Sequence, residues 1–230
     1  MSQLFQNSVF MGVLITFLSY ELGLILNKKF RTSLFNPLLI AIIITSALLL
    51  LFNVDYDVYY SKSHYISFLL TPATVALAIP LYEQFELLKK NCFAILIGII
   101  TGVVTSLTSI LILSYIFHID HNTYVTLLPK SITTAIGIGV SEELGGYSSI
   151  TVAIIIITGV LGNMCANGVC KLFGITNPIA KGIAIGTSSH AIGTSRAMEM
   201  GEVEGAMSSL SIVISGILTV IGANIYSHFL

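Results

Sequence analysis

The stretch GIAIGTSSHAIGTSRAMEMGEVEG, from Gly182 to Gly205, decides the fold. It carries one His, one Arg, three Glu and five Ser or Thr, in a chain that is 55% hydrophobic and only 9% charged. A typical soluble domain has about 25% charged residues. Polar groups between the apolar runs of a membrane protein face protein or a water-filled cavity, because lipid cannot satisfy them. The stretch therefore predicts a helix that breaks at membrane depth and lines such a cavity.

The rest of the chain consists mostly of apolar runs. Five are long enough to cross about 30 Å of hydrocarbon as helices: residues 8–26, 34–53, 92–117, 148–170 and 206–227. Three more are interrupted by Pro and Gly, which break helices: residues 65–88, 124–146 and 178–204. The predicted fold class is an all-α polytopic membrane protein, with residues 1–230 forming a single integral membrane domain.

The three broken segments resemble one another. LTPATVALAIP (70–80) aligns without gaps with LLPKSITTAIG (127–137), and SITTAIGIGVSEELG (131–145) aligns with TSSHAIGTSRAMEMG (187–201). One apolar run follows each segment, which predicts three repeats of a broken segment plus a helix. Broken helices at corresponding positions of repeats mark the binding site of many transporters.

Basic residues predict the topology. The positive-inside rule places residues 27–33 and 89–91 in the cytoplasm and the N-terminus outside. Lys171 and Lys181 then also lie inside, provided that the second broken segment enters the membrane and returns. We therefore expect about six transmembrane helices and two re-entrant or broken-helix hairpins that enter from opposite faces, as inverted repeats. Eight full spans are the alternative.

Polar side chains of the two predicted hairpins form the candidate site. A helix that starts at a break offers free N–H groups and a partial positive charge, which together with nearby hydroxyls suit a carboxylate. The breaks are expected at Ala-Ile-Gly, residues 135–137 and 191–193. Arg196 can then clamp the anion and His190 can carry a proton. The expected substrate-binding residues are Lys130, Ser131, Thr133, Thr134, Thr187, Ser188, Ser189, His190, Thr194, Ser195 and Arg196. The alternative role of the hydroxyls is helix packing.

A few other polar residues are weaker candidates for the predicted site. Glu142, Glu199 and Asn163 are candidates for coupling or for lining the cavity. Asn163 is alternatively a helix–helix contact. Glu202 and Glu204 are expected at a solvated segment end.

Several classes of function are not expected. The three cysteines lie in or beside apolar runs without CxxC spacing, so neither a metal site nor a cofactor is predicted. Ser188, Ser189 and His190 are adjacent, which is the wrong geometry for a nucleophile and its base, so neither an enzyme nor catalytic residues are expected. The net charge of −1, without a basic cluster, gives no reason to expect nucleic acid as a partner.

Three motifs, taken together and in this order, resemble the LrgB/CidB family of bacterial membrane proteins. They are LLTPATVALAIPLY (69–82), LLPKSITTAIGIGVSEELGG (127–146) and GTSSHAIGTSRAMEMGEVEGAMSSL (186–210). The resemblance implies an antiholin-like protein that acts with a holin-like partner of the LrgA/CidA type in murein hydrolase regulation, autolysis and cytolysis. Related proteins transport pyruvate in bacteria and glycolate or glycerate in plastids. The plastid protein fuses the two parts, so a separate partner is implied here.

These observations together predict a transport protein of the cell membrane. The expected substrates are small monocarboxylates, the expected partner is the LrgA/CidA-type protein, and a homo-oligomer is expected. The alternative is an antiholin-like regulator of a holin-like pore that has no substrate of its own.

Overall fold

A computed structural model describes residues 10–30 and 35–230. Those residues form helices and no strand. The chain divides into two compact units, Met1–Ala76 and Leu77–Leu230. Four helices of the described chain are long and apolar enough to cross a membrane: Met11–Phe30, Cys92–Ile116, Ser148–Leu172 and Glu202–Ser227.

The first unit contains α1 (Met11–Phe30), α2 (Pro37–Leu51), α3 (Tyr56–Phe68) and α4 (Leu70–Ala76). Asn36 caps α2, because its side-chain oxygen accepts the N–H groups of Leu38 and Leu39. With 15 residues, α2 is about 22 Å long, which is shorter than the hydrocarbon layer. Residues 8, 9 and 34, which belong to the first two predicted spans, lie outside the described residues.

The second unit contains α5 (Ala78–Glu83), α6 (Phe85–Lys90), α7 (Cys92–Ile116), α8 (His121–Leu127), α9 (Thr134–Glu143), α10 (Ser148–Leu172), α11 (Pro178–Met200) and α12 (Glu202–Ser227). The segment 65–88, predicted to be broken, is broken: single turn residues at 69, 77 and 84 separate the end of α3, α4, α5 and α6.

Helices α8 and α9 form a hairpin, which we call hairpin 1 (residues 121–143, tip 128–133). Its limbs are antiparallel: a Cβ built on Gly137 would lie 3.6 Å from the Pro129 side chain, whereas Thr126 and Ser141, further from the tip, both lie within 3.1 Å of Thr151 Oγ1. Thr133 is extended (ψ 147°) and precedes the first turn of α9. The break therefore lies before Ala-Ile-Gly 135–137, and the expected break within that triplet is wrong.

The helix α11 also folds back on itself, at His190 (φ 43°, ψ −141°). We call it hairpin 2 (residues 178–200), with limbs 178–189 and 191–200. The reversal brings Ile185 within 3.0 Å of a Cβ built on Gly193. Here too the break precedes Ala-Ile-Gly, which starts the second limb at 191 rather than interrupting it.

The two hairpins enter the second unit from opposite ends. We call these the Lys90 end, where α7 begins, and the Asp120 end, where α7 gives way to hairpin 1. The first limb of hairpin 2 runs parallel to α7, because a Cβ on Gly98 would meet Ile183 and one on Gly102 would meet Thr187. It therefore enters from the Lys90 end, whereas hairpin 1 enters from the Asp120 end.

The helices α7 and α10 are built alike. Each has 25 residues, and their first residues, 92 and 148, are 56 apart. Each is followed by a Phe and then by a residue with positive φ, His118 (51°) or Gly174 (64°). The buried positions 95, 99, 103, 110 and 114 of α7 correspond, at the same spacing, to the buried positions 151, 155, 159, 166 and 170 of α10.

Candidate functional site

A cavity of about 740 Å³ lies between α7, the tip of hairpin 1 and the first limb of hairpin 2. It runs from Asn91, the residue before α7, along that helix to Ser109, so it extends from the Lys90 end to the middle of the unit. Four residues predicted from the sequence line it together, two from each hairpin: Lys130, Ser131, Thr187 and Ser188.

The wall on α7 is formed by hydroxyl groups that sequence analysis missed. Thr101, Thr105 and Ser109 are spaced four residues apart, which places them on one helix face. The stretch TGVVTSLTS (101–109) contained this signal. At the equivalent positions of α10, 56 residues later, stand Ile157, Leu161 and Cys165, all exposed. The polar wall is therefore specific to α7, whereas the corresponding face of α10 suits lipid.

The tip of hairpin 1 supplies a cation to this cavity. Lys130 Nζ donates to Ser131 Oγ at 2.9 Å, and Ser131 Oγ lies 3.3 Å from Ser106 Oγ on α7. Of the described residues that line the cavity, Lys130 is the charged one. An ammonium group beside hydroxyls offers the donors that a carboxylate accepts.

The polar residues of hairpin 2 are divided between the cavity and the interior. Thr187 and Ser188 line the cavity, and Ser188 Oγ lies 3.0 Å from Ser189 Oγ. Ser189 and His190 are buried against α10, and Thr194 Oγ1 lies 2.8 Å from Ser208 Oγ on α12. These three residues therefore lie at contacts between helices.

The remaining candidates lie outside this cavity. Thr133 and Thr134 are half-buried at the start of α9, and Glu142 is exposed near its end. Asn163 Nδ2 donates to the Ile192 carbonyl at 2.8 Å and to Ser195 Oγ at 3.1 Å. Asn163 therefore joins α10 to the second limb of hairpin 2, which is the helix–helix contact considered above.

Arg196 lines a second cavity, of about 520 Å³, whereas Lys130 lines the first. The second cavity lies between the last turns of α10, hairpin 2 and the start of α12. Arg196 forms an ion pair there with Glu199, and Lys181 Nζ lies 3.9 Å from Glu204 Oε1. The structure thus does not bring Arg196 to the tip that carries Ser188.

Glu204 differs from its expected position at a solvated segment end. It is 8% exposed, because α12 begins at Glu202, four residues before the predicted span, and hairpin 2 packs over this first turn. A Cβ on Gly182 would lie 2.5 Å from the Glu204 carbonyl oxygen, so the hairpin approaches the backbone closely. Glu202 is exposed, as expected.

Comparison with known proteins agrees with the resemblance. The family model described as "LrgB-like family" matches residues 16–229. The antiholin-like protein LrgB of Bacillus subtilis (strain 168) is 38% identical over 215 residues, which cover 93% of each chain. The antiholin-like proteins LrgB of Bacillus mycoides (strain KBAB4) and Bacillus cereus (strain B4264) are 35% identical over 222 residues, 96% of each chain. No solved structure gives a significant match.

The four long apolar helices and these relatives identify a membrane protein. The matched residues include α7, α10, α12 and both hairpins, so the candidate site lies within the part of the chain that defines the family. The chain belongs to the LrgB-like family.

Proposed function

We propose that this protein transports small monocarboxylates across the cell membrane and binds them in the cavity that Lys130 lines. The observation that carries the proposal is a cation at the end of a hydroxyl-walled cavity, between the tips of two opposed hairpins. A carboxylate has one negative charge and accepts several hydrogen bonds, which Lys130, Ser131 and the hydroxyls of α7 can donate. The volume holds a two- or three-carbon acid together with water.

The similarity between the two helix-and-hairpin parts of the second unit supports a transport function. In this proposal α7 with hairpin 1 and α10 with hairpin 2 are inverted repeats, and both hairpins are re-entrant. Inverted repeats with broken helices at the midplane are typical of secondary transporters. The Lys90 end is then cytoplasmic, in agreement with Lys171 and Lys181, and the N-terminus is outside.

The names of the relatives favour a second candidate function. Those proteins are called antiholin-like, so the alternative is a regulator of a holin-like pore that controls murein hydrolase activity and autolysis. A partner of the LrgA/CidA type belongs to both proposals, as does a homo-oligomer. The regulator has no substrate of its own, so the two functions differ in whether the cavity binds a carboxylate.

Uptake and binding measurements on the purified protein test the proposal. Labelled pyruvate and glycolate are offered to proteoliposomes with and without the partner, and binding is measured by calorimetry. Lys130→Gln is expected to weaken binding by about 10- to 150-fold, since a hydrogen bond to a charged group contributes about 1.5–3 kcal/mol. Lys130→Arg is expected to keep part of the affinity.

Arg196→Gln is the matched control, because Arg196 lies in the other cavity and is paired with Glu199. Its affinity is expected to equal that of the unmodified protein. A loss in Arg196→Gln but not in Lys130→Gln would move the anion site to the second cavity. Absence of carboxylate binding in the unmodified protein, with and without the partner, would favour the regulator.

A further inference from the structure

The transport cavity is closed toward the Asp120 end by hairpin 1. The hydroxyl wall of α7 stops at Ser109, and the next exposed residues on that helix are Ile112, Leu113, Tyr115 and Ile116, of which only Tyr115 carries a polar group. Tyr124 in the first limb of hairpin 1, and Leu128 and Ile132 in its tip, are each at most 1% exposed. A solute in the cavity therefore reaches the Asp120 end only if hairpin 1 moves.

Three buried hydroxyl groups hold hairpin 1 in this position. Thr126 belongs to its first limb, Ser141 to its second limb and Thr151 to α10, and each is 0% exposed. Thr151 Oγ1 lies 2.7 Å from Ser141 Oγ and 3.1 Å from the Thr126 carbonyl oxygen. Thr126 Oγ1 in turn accepts the Tyr147 N–H at 2.8 Å. One group of contacts thus joins both limbs, the following loop and α10.

The positions in hairpin 2 and α12 that correspond to these three residues carry no hydroxyl group. Gly182, Ala197 and Met207 stand 56 residues after Thr126, Ser141 and Thr151. A Cβ on Gly182 would lie 2.7 Å from Met207 Cβ, so the contact is close apolar packing. Hydroxyl groups exchange their partners with water when they separate, whereas parting an apolar contact exposes surface that water disfavours.

The loop beside the three hydroxyls can serve as a hinge. Gly145 has φ +79°, and a Cβ built on it would meet open space. A Cβ on Gly146 would lie 2.6 Å from Ser141 Oγ and 2.8 Å from Thr126 Oγ1. The lack of a side chain at Gly146 therefore leaves room for the Ser141 and Thr126 hydroxyl groups. Gly145 adopts a positive φ that residues other than glycine rarely adopt.

We propose that hairpin 1 is the gate between the transport site and the Asp120 end, and that Thr126, Ser141 and Thr151 form its latch. The inference rests on the proposed function for the identity of the solute. Movement of the gate can nevertheless be measured without any solute.

The test uses a disulfide across the latch. Ser141→Cys and Thr151→Cys are combined in a background that lacks the three native cysteines; their hydroxyl oxygens are close enough for a disulfide to form between cysteines. Oxidation is expected to abolish uptake, reduction to restore it, and carboxylate binding to persist in both states. The control pair, Asn163→Cys with Ser195→Cys, ties hairpin 2 to α10 and should leave uptake intact. If uptake continues when the latch pair is oxidised, the proposal that hairpin 1 is the gate is wrong.

A second readout does not depend on transport. A cysteine at Ser131 is labelled with an impermeant reagent from the Asp120 end, with and without Thr151→Val. The variant keeps the volume but removes the hydrogen bonds of the latch, so labelling is expected to become faster, whereas Thr151→Ser should label like the parent. Equal rates in all three proteins would overturn the latch, even if the protein transports carboxylates. Faster labelling in Thr151→Val with no transport would keep the gate and reject the proposed function.

Discussion

The imidazole of His190 lies with Nε2 3.0 Å from the backbone carbonyl oxygen of Ile155, where hairpin 2 reverses direction. A carbonyl oxygen only accepts hydrogen bonds, so Nε2 carries the hydrogen and Nδ1 is the atom that can gain a proton. The contact joins the tip of the hairpin to α10, and the side chain is 3% exposed. His190 therefore has a structural bond and, at the same time, a nitrogen free to take part in proton transfer.

Replacing His190 with Gln separates these two roles. The Gln amide can still donate to the Ile155 carbonyl, but it cannot carry a proton. If His190 carries the coupled proton, His190→Gln should keep exchange of carboxylate across proteoliposomes and lose accumulation driven by a pH gradient. A variant that still concentrates substrate as the parent does would make His190 a structural residue alone.

Two glycines of α10 should respond in opposite ways to alanine. A Cβ on Gly162 would overlap Ser189 Oγ and lie 2.5 Å from Ser189 Cβ, whereas a Cβ on Gly168 meets nothing within 4 Å. Gly162→Ala is expected to displace the tip of hairpin 2 and to lower the free energy of unfolding by about 1–3 kcal/mol. Gly168→Ala is expected to raise it by about 0.4–1 kcal/mol. Thermal unfolding in detergent measures both, and equal shifts would contradict the close packing at Gly162.

Impermeant labelling of single cysteines tests the topology. Cysteines at Asp57 and Asn122 should react from outside, and cysteines at Lys29, Lys90 and Lys171 only from the cytoplasm. The expectation follows from the positive-inside rule and from two re-entrant hairpins. External labelling at Lys171 would instead favour eight full spans.

Asp120 makes the start of hairpin 1 sensitive to acid. Its carboxylate accepts hydrogen bonds from the Thr123 N–H and hydroxyl, and these hold the pKa of Asp120 below its ordinary value. Because the pKa is lowered in the folded state, the cap stabilises α8 at pH values above the ordinary range of Asp. That stabilisation is lost as the pH falls through the lowered pKa.

Hydrogen exchange of the first amides of α8 reports this effect. Exchange corrected for its intrinsic pH dependence should increase below the ordinary range of Asp in the unmodified protein. Asp120→Asn keeps a capping side chain but cannot ionise, so its corrected exchange should not change with pH in that range. The same pH profile in both proteins would remove Asp120 as the cause.

The long helices were predictable because their apolar runs end at clear local signals. The predicted span 92–117 became Cys92–Ile116, and 148–170 became Ser148–Leu172. Both helices end where a residue with positive φ follows Phe117 or Phe173. The breaks of the two hairpins lie before the predicted positions, because the Gly of each Ala-Ile-Gly triplet is accommodated within the helix that follows the break. The extended residue is Thr133 in one case and the strained residue is His190 in the other.

The candidate site was predictable only where a residue lies close to a tip. Lys130, Ser131, Thr187 and Ser188 do, and the fold brings them to one cavity. Arg196 follows His190 by six residues, or about 9 Å along a helix, and the direction of the second limb takes it away. Nothing in the sequence states that direction. The hydroxyls of α7 were overlooked because that run satisfies every criterion of an apolar span, and a contact with hairpin 2 is needed to distinguish them.

The cavity that ends at Ser131 also has an electrical consequence. In the proposed transporter, water in this cavity would carry the potential of the Lys90 end to the middle of the protein, so the membrane voltage would fall mainly across hairpin 1 rather than over the full thickness. Each elementary charge that crosses 100 mV gains or loses about 2.3 kcal/mol. An anion that leaves Lys130 past hairpin 1 would thus experience most of this field within one short step, and the closed hairpin would insulate the two aqueous compartments from each other.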